Sequence, residues 1–225
     1  MGLLLSPIGD SVRKSFAHIA NPVKDISETV FVAIEKIHGF PRVSNLDIKQ
    51  SNATTFDGIF NYNRGGRGID IRISKYATNK EFTLLHELGH VIDNQSIGIR
   101  GFNESENAGN EFRKVLNSIE QTFLVKRLRE IQQSGKREFN GRRIKIEPDD
   151  AKYLNYILNA KELWARAYAQ YVVTKSGNVE LLKQLADENK KNSVYTTQWV
   201  DDDFKNVIFE IDNLLIKNKW AKQLP

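Results

Sequence analysis

Five consecutive residues, His86-Glu87-Leu88-Gly89-His90, combine the side chains that metal-assisted hydrolysis needs at the spacing it needs. On a helix, positions four apart lie one above the other on a single face. His86 and His90 can therefore offer two imidazole nitrogens to one tetrahedral metal ion. Glu87 follows His86 on the same side, where a carboxylate can take a proton from water and return it without being a ligand. The chain has only four histidines in 225 residues, so two of them bracketing a Glu at this spacing is a specific signal. The bland alternative is a core helix with two satisfied histidines.

A catalytic zinc ion needs a third protein ligand. No histidine follows His90 and the chain has no cysteine, so that ligand must be a carboxylate. Asp93, Glu104, Glu106, Glu111 and Glu162 are the candidates. Asp93, one turn beyond His90, suits a supporting role around the ligands. Glu104, Glu106 and Glu111 fall at or near the polar start of a helix, where acids are expected in any case. Glu162 differs. Leu158, Glu162, Ala165, Ala169 and Val172 share one helical face, so Glu162 interrupts an apolar stripe, and the alanines let another helix come close. A buried carboxylate is costly unless paired or metal-bound. A salt bridge to Arg166, four residues on, would explain the charge but not the apolar face. Glu162 is favoured, with Zn²⁺ as the expected metal.

These side chains must be held by the elements around them. Residues 1–24 read as an arm with weak amphipathic character, ended by Asn21-Pro22. Asp25 and Glu28 form a capping-box pattern for a helix to about His38, with Val30, Phe31, Ile34 and Ile37 as its buried stripe. His18 and His38 read as surface or terminal histidines. Residues 42–76 change to a period of two, predicting strands around Val43–Ile48, Ile59–Tyr62 and Ile69–Ser74. Asn63–Gly68 between the last two is a Gly-rich hairpin loop rather than a phosphate loop, because it opens no helix and has no Lys followed by Ser or Thr. Thr78 and Glu81 form a second capping-box pattern for the His86–His90 helix. Gly89 costs that helix about 1 kcal/mol against Ala, which implies close approach by another backbone. The strand Ile69–Ser74, just before it, is the expected sheet edge on which a peptide would be held.

A long helical stretch is expected from about Glu104 to Ser134, then a hairpin around Asn140-Gly141. Asn178 caps a helix over 179–189, and Asp201–Asp203 open a last one. The basic stretch 126–145 reads chiefly as a solvated face. Phe139 is its lone aromatic residue, which argues against nucleic acid as a partner. A 225-residue chain with 40% hydrophobic residues can build a substantial core, and the net charge of +5 is modest. The run Leu3-Leu4-Leu5 is broken by Pro7 and Gly9, so it reads as neither a secretion signal nor a membrane span.

At His86–His90 and Glu162 the chain resembles the gluzincin clan of zinc metallopeptidases. It lacks the longer metzincin pattern, since Asp93 and Ser96 stand where that pattern has Gly and His. More specifically, it is similar to zincin-like domains encoded by phages and mobile elements, including those associated with minor head or head-morphogenesis proteins. In those, a Lys-Glu-aromatic-Ala-Arg-Ala-aromatic helix follows the metal helix, as at Lys161–Tyr168 here, and Tyr195–Phe204 looks similar to their ends. The likeness spans about residues 68 to 215. The gap from His90 to Glu162 is longer than in thermolysin-like enzymes, and no later histidine can stabilise the transition state. Anthrax-lethal-factor-like peptidases use a tyrosine shortly before the ligand Glu. Tyr156 comes nearest here, one residue out of their spacing, with Arg166, Tyr153 and Tyr168 as further candidates.

The combined expectation is an α+β, zincin-like fold: a small twisted sheet with a substrate-binding edge strand, packed on a mainly helical body. One domain is expected over 25–225, its α/β part at 25–100 and its helical part at 101–225. The expected activity is zinc-dependent endopeptidase, with His86, His90 and Glu162 on the metal and Glu87 handling protons. Its partners would be a peptide or protein substrate, phage structural proteins on the resemblance, and no membrane. The location implied is the host cytoplasm or the virion. The rival from another class is a virion or head-assembly protein that keeps the fold without catalysis.

Overall fold

Ile48, Ile71 and Ile73 alternate with polar neighbours, and with Phe60 they turn onto one buried face of a small sheet. In the computed structural model, which describes residues 11–41, 43, 45–95, 110–191 and 195–221, that sheet has four strands. They are β1 (Phe16–Ile19), β2 (Leu46–Ser51), β3 (Gly58–Tyr62) and β4 (Gly68–Ser74), in the order β1-β2-β4-β3. β2 runs parallel to both β1 and β4, while β3 is antiparallel to β4 with Phe60 opposite Ile71.

Two expectations change here. The strand over Ile69–Ser74 is not an edge: β4 is paired on both sides, and the edge strands are β1 and, beside β4, β3. Its outward residues belong to a polar ladder rather than to a peptide site. Asp70 accepts hydrogen bonds from Asn61 Nδ2 at 2.7 Å, Arg72 Nη2 at 3.1 Å and Lys49 Nζ at 3.3 Å. Burial alone would raise the Asp70 carboxyl, but these donors hold it below its ordinary range. Nor is the described part of 1–24 an arm. Val12 and Val23 are buried, and between them β1 joins the sheet; residues 1–10 lie outside the described part.

The helices are α1 (Lys24–Ile37), α2 (Lys80–Gln95), α3 (Asn110–Glu120), α4 (Phe123–Ser134), α5 (Pro148–Ile157), α6 (Ala160–Ser176), α7 (Val179–Lys191) and α8 (Asp201–Lys217). α1 and α2 cover the apolar face of the sheet, and α6 lies against both of them. The architecture is thus mixed α and β, a small sheet beside a larger helical part, with one continuous buried cluster from Val12 to Leu215. A separate two-stranded sheet, β5 (Lys136–Phe139) and β6 (Arg142–Lys145), turns at Asn140-Gly141, both with positive φ.

Several local expectations also shift. The described part of the long stretch from Glu104 is two helices, because Thr122 breaks the run and caps α4 by accepting from the Val125 N–H. Neither capping box forms. α1 continues from a 3-10 turn at Asn21–Val23, and α2 is capped from α7 instead. There the Gln184 Oε1 accepts from the Phe82 N–H at 3.0 Å, and its Nε2 donates to Glu81 at 2.7 Å. His38 is fully buried rather than terminal on the surface, with its Nδ1 on the Gly39 carbonyl at 2.7 Å and its Nε2 at 3.2 Å from the Tyr168 hydroxyl.

Candidate metal centre

Leu84, Leu85, Leu88, Val91 and Ile92 are all buried and fix the roll of α2, so that His86 and His90 emerge on its other side. α6 supplies the facing wall. Asn159 opens it by accepting from the Glu162 N–H at 2.9 Å, and Gly177, with φ of +62°, closes it. Almost the whole surface of α6 is buried, including Glu162 and Arg166.

The two helices approach through Gly89 and Ala165. A Cβ on Gly89 would lie 2.8 Å from the Ala165 Cα, closer than real Cβ atoms come. The backbone that Gly89 was expected to meet is therefore that of α6, not a strand. Trp164 locks the crossing by donating its indole N–H to the Gly89 carbonyl at 2.8 Å. Gly89→Ala consequently tests the contact in sign as well as size. Helix propensity alone predicts a gain of about 1 kcal/mol, whereas overpacking predicts a net loss of about 1–3 kcal/mol. Denaturant unfolding of the metal-free protein should show the loss; a gain would mean that the helices do not touch there.

That crossing brings Glu162 over the two histidines. Its Oε2 lies 3.2 Å from His86 Nε2, its Oε1 3.3 Å from His90 Nε2, and the two Nε2 atoms are 3.1 Å apart. A tetrahedral ion with bonds of about 2.0–2.1 Å sets its ligand atoms roughly 3.3–3.4 Å apart. Each histidine meets its own oxygen of the Glu162 carboxylate, and one ligand atom from each of the three residues lies within 4.8 Å of the others, close enough to converge on one ion; two nitrogens with one carboxylate are a donor set suited to zinc. Burial would raise the Glu162 carboxyl, but the two imidazoles outweigh it and hold the group well below the ordinary carboxylate range.

Glu87 points elsewhere. It is 5% exposed, and burial pushes its carboxyl up to about 7; the His90 ring and a hydrogen bond from the Phe60 backbone N–H oppose that rise, and the Glu162 charge adds to it. β3 lies against it so closely that a Cβ on Gly58 would fall 2.8 Å from Glu87 Oε1. The Asp57 carbonyl accepts from the Ser74 N–H at 2.8 Å, so backbone groups of 59 and 61 turn toward β4 and those of 58 and 60 toward the open edge. A cleft of about 190 Å³ runs between that edge and the helices. Gly58, Ile59, Phe60 and Tyr62 line one side, Glu87 and His90 the floor, and Tyr156, Lys161 and Glu162 the other side.

No protein-family model, curated protein or solved structure matches this chain. The site rests on its own geometry.

Of the residues expected at the site, His86, Glu87, His90, Tyr156 and Glu162 come together around this cleft. Tyr156 flanks it with 54% of its surface exposed, while its hydroxyl reaches Glu162; burial of that end and the Glu162 charge both raise its pKa. Arg166 is not brought to the cleft. Its guanidinium donates to the carbonyls of Ile157 (3.0 Å) and Thr197 and stacks over the Trp199 ring at 5.0 Å. It positions the end of α5 and the 195–200 segment, and the ion pair with Glu162 weighed as the bland alternative does not form. Burial lowers its pKa to about 10. Tyr168 is likewise committed to His38, and Tyr153 packs against Tyr195. Asp93 is fully buried at the end of α2, and Glu104 and Glu106 lie outside the described residues, as does the Glu111 side chain. Gly58, Trp164 and Lys161 were missed as site residues. A glycine opening a strand was the one available signal, for Gly58.

Proposed function

We propose that this chain is a zinc-dependent endopeptidase of the gluzincin type with a zincin-like fold. The observation that carries the reading is the convergence of His86, His90 and Glu162, with each imidazole 3.2–3.3 Å from one Glu162 oxygen and 3.1 Å from the other imidazole, beside Glu87 and under an open strand edge. His86, His90 and Glu162 would hold the ion. When bound, zinc supplies Lewis acidity, lowering the pKa of water at its open fourth position to about 7 and polarising the scissile carbonyl.

Glu87 takes the proton from the attacking water and hands it to the leaving amine. Its raised pKa matches a group that must do both near neutral pH. The Tyr156 hydroxyl donates to the oxyanion as it develops, a contribution typically worth about 3 kcal/mol for such a donor. The substrate lies along β3 rather than β4, pairing with the outward main chain of Gly58 and the Phe60 carbonyl, the Phe60 N–H being held by Glu87. Main-chain pairing supplies affinity with little sequence preference, and the exposed Ile59 and Tyr62 bias the neighbouring subsites toward apolar side chains. On the likeness of Lys161–Tyr168 to phage-encoded zincin-like domains, phage structural proteins belong to the substrate class.

Reconstituted protein is expected to carry roughly one zinc per chain and to cleave members of a peptide library. Chelation should stop cleavage and added zinc restore it. Elemental analysis without zinc after reconstitution would overturn the site. Bound zinc with no cleavage of any peptide would overturn the activity alone and leave the non-catalytic assembly protein.

A further inference from the structure

The β5–β6 hairpin contributes almost nothing to the core. Ile144 is half-buried, and Ile146 just beyond it is the nearest buried residue. A two-stranded hairpin is at best marginal by itself, so its residues are displayed rather than packed. They are strongly basic: Lys136, Arg137, Arg142, Arg143 and Lys145 stand against one acid, Glu138. The ten residues 136–145 therefore carry a formal +4, where the whole chain carries +5.

The register sorts this charge in a way that composition does not. Phe139 faces Arg142 and Arg137 faces Ile144, so Arg137, Phe139, Arg142 and Ile144 share one face of the ribbon. Phe139 is 53% exposed with the Arg137 guanidinium 5.3 Å from its ring centroid. An exposed aromatic ring with one guanidinium beside it and Arg142 opposite it in register offers a stacking surface for an unpaired base, with cations for the flanking phosphates. The acids that follow are already engaged, Asp149 by Lys152 and Asp150 by the Tyr195 hydroxyl.

We propose that the Arg137–Phe139–Arg142 face of this hairpin binds single-stranded nucleic acid, through phosphate contacts and base stacking on Phe139; the lone aromatic that argued against such a partner for the whole basic stretch is here set among its cations, where one stacked base suffices. The bases of a duplex are not open to stacking, and an acidic peptide gains nothing comparable from the ring. This surface is separate from the metal cleft and does not depend on peptidase activity.

The test is fluorescence anisotropy of the full zinc-reconstituted chain with labelled oligo(dT), a duplex of equal length, and poly-glutamate of equal charge. Oligo(dT) is expected to bind most tightly. With about four phosphates engaged, log K should fall against log salt with a slope of roughly −3. Phe139→Ala should weaken binding roughly fivefold or more, and the double variant Arg137→Glu/Arg142→Glu more than tenfold. Both substitutions are at the ribbon surface, so zinc content and the unfolding midpoint should not move. Absence of binding at low salt, or binding unchanged by the charge reversal, would overturn the proposal. So would a duplex or poly-glutamate bound as tightly as oligo(dT), which would assign the face to duplex or to an acidic protein.

Discussion

Glu87→Gln is expected to keep zinc bound while lowering peptide cleavage by about 10²–10⁴-fold, the range that a positioned general base contributes. Glu87 lies outside the His86–His90–Glu162 group, so its replacement leaves those three side chains in place. Gln has nearly the same shape, which matters because Gly58 lies close against this side chain. Its amide oxygen can still accept from the Phe60 N–H, but it cannot take a proton from water at neutral pH. Cleavage rates and zinc content measured on the same preparation separate the outcomes. Wild-type rates in the variant would remove Glu87 from the mechanism even with zinc present. Loss of zinc together with activity would instead mean that Glu87 supports the metal site.

The metal helix was legible because a spacing of four is a statement about one helix, and nothing elsewhere in the chain has to be known. Glu162 was legible for a related reason: α6 is apolar on nearly all sides, so a carboxylate in it must meet something specific. Strand position was less accessible. The alternation in Ile69–Ser74 reports that one face is buried and the other is polar, which β4 obeys. It is silent on lateral neighbours, and these decide whether a strand is an edge. The edge strand β3 shows little alternation of its own, and its close approach to α2 depends on Gly58 having no side chain where Glu87 passes.

Charge in a helix was misleading in the same way. Arg166, set in the same helix segment as Glu162, invites a catalytic role, yet its two Nη atoms donate to carbonyls at the end of α5 and in the 195–200 segment. Thr197 is 31 residues away, and only the fold brings it near. The break at Thr122 escaped notice because no Gly or Pro marks it and the apolar spacing continues on both sides. β1 is four residues long, too short for a period to declare itself.

Glu162→Ala is expected to lower zinc affinity by more than a hundredfold. Changes to groups that merely support ligands already cost about 10–100-fold, and here one of three ligands disappears. The variant leaves His86 and His90 with their Nε2 atoms 3.1 Å apart and no anion facing them. Two neutral imidazoles hold a divalent ion with neither the charge nor the third donor that closes the tetrahedral face. The effect can be read without any substrate, because zinc bound only to the native state stabilises it by RT ln(1 + [Zn]/Kd), about 2.7 kcal/mol at a hundred times Kd. Zinc should therefore raise the unfolding midpoint of the wild type and of Glu87→Gln, but scarcely that of Glu162→Ala. The decisive comparison is with the other carboxylates on offer. If zinc still stabilises Glu162→Ala but no longer stabilises Glu104→Ala or Glu111→Ala, the third ligand comes from the stretch at the start of α3. The Glu162 carboxylate would then be an anion shared by two histidines, and the catalytic assignment built around it would fall with it.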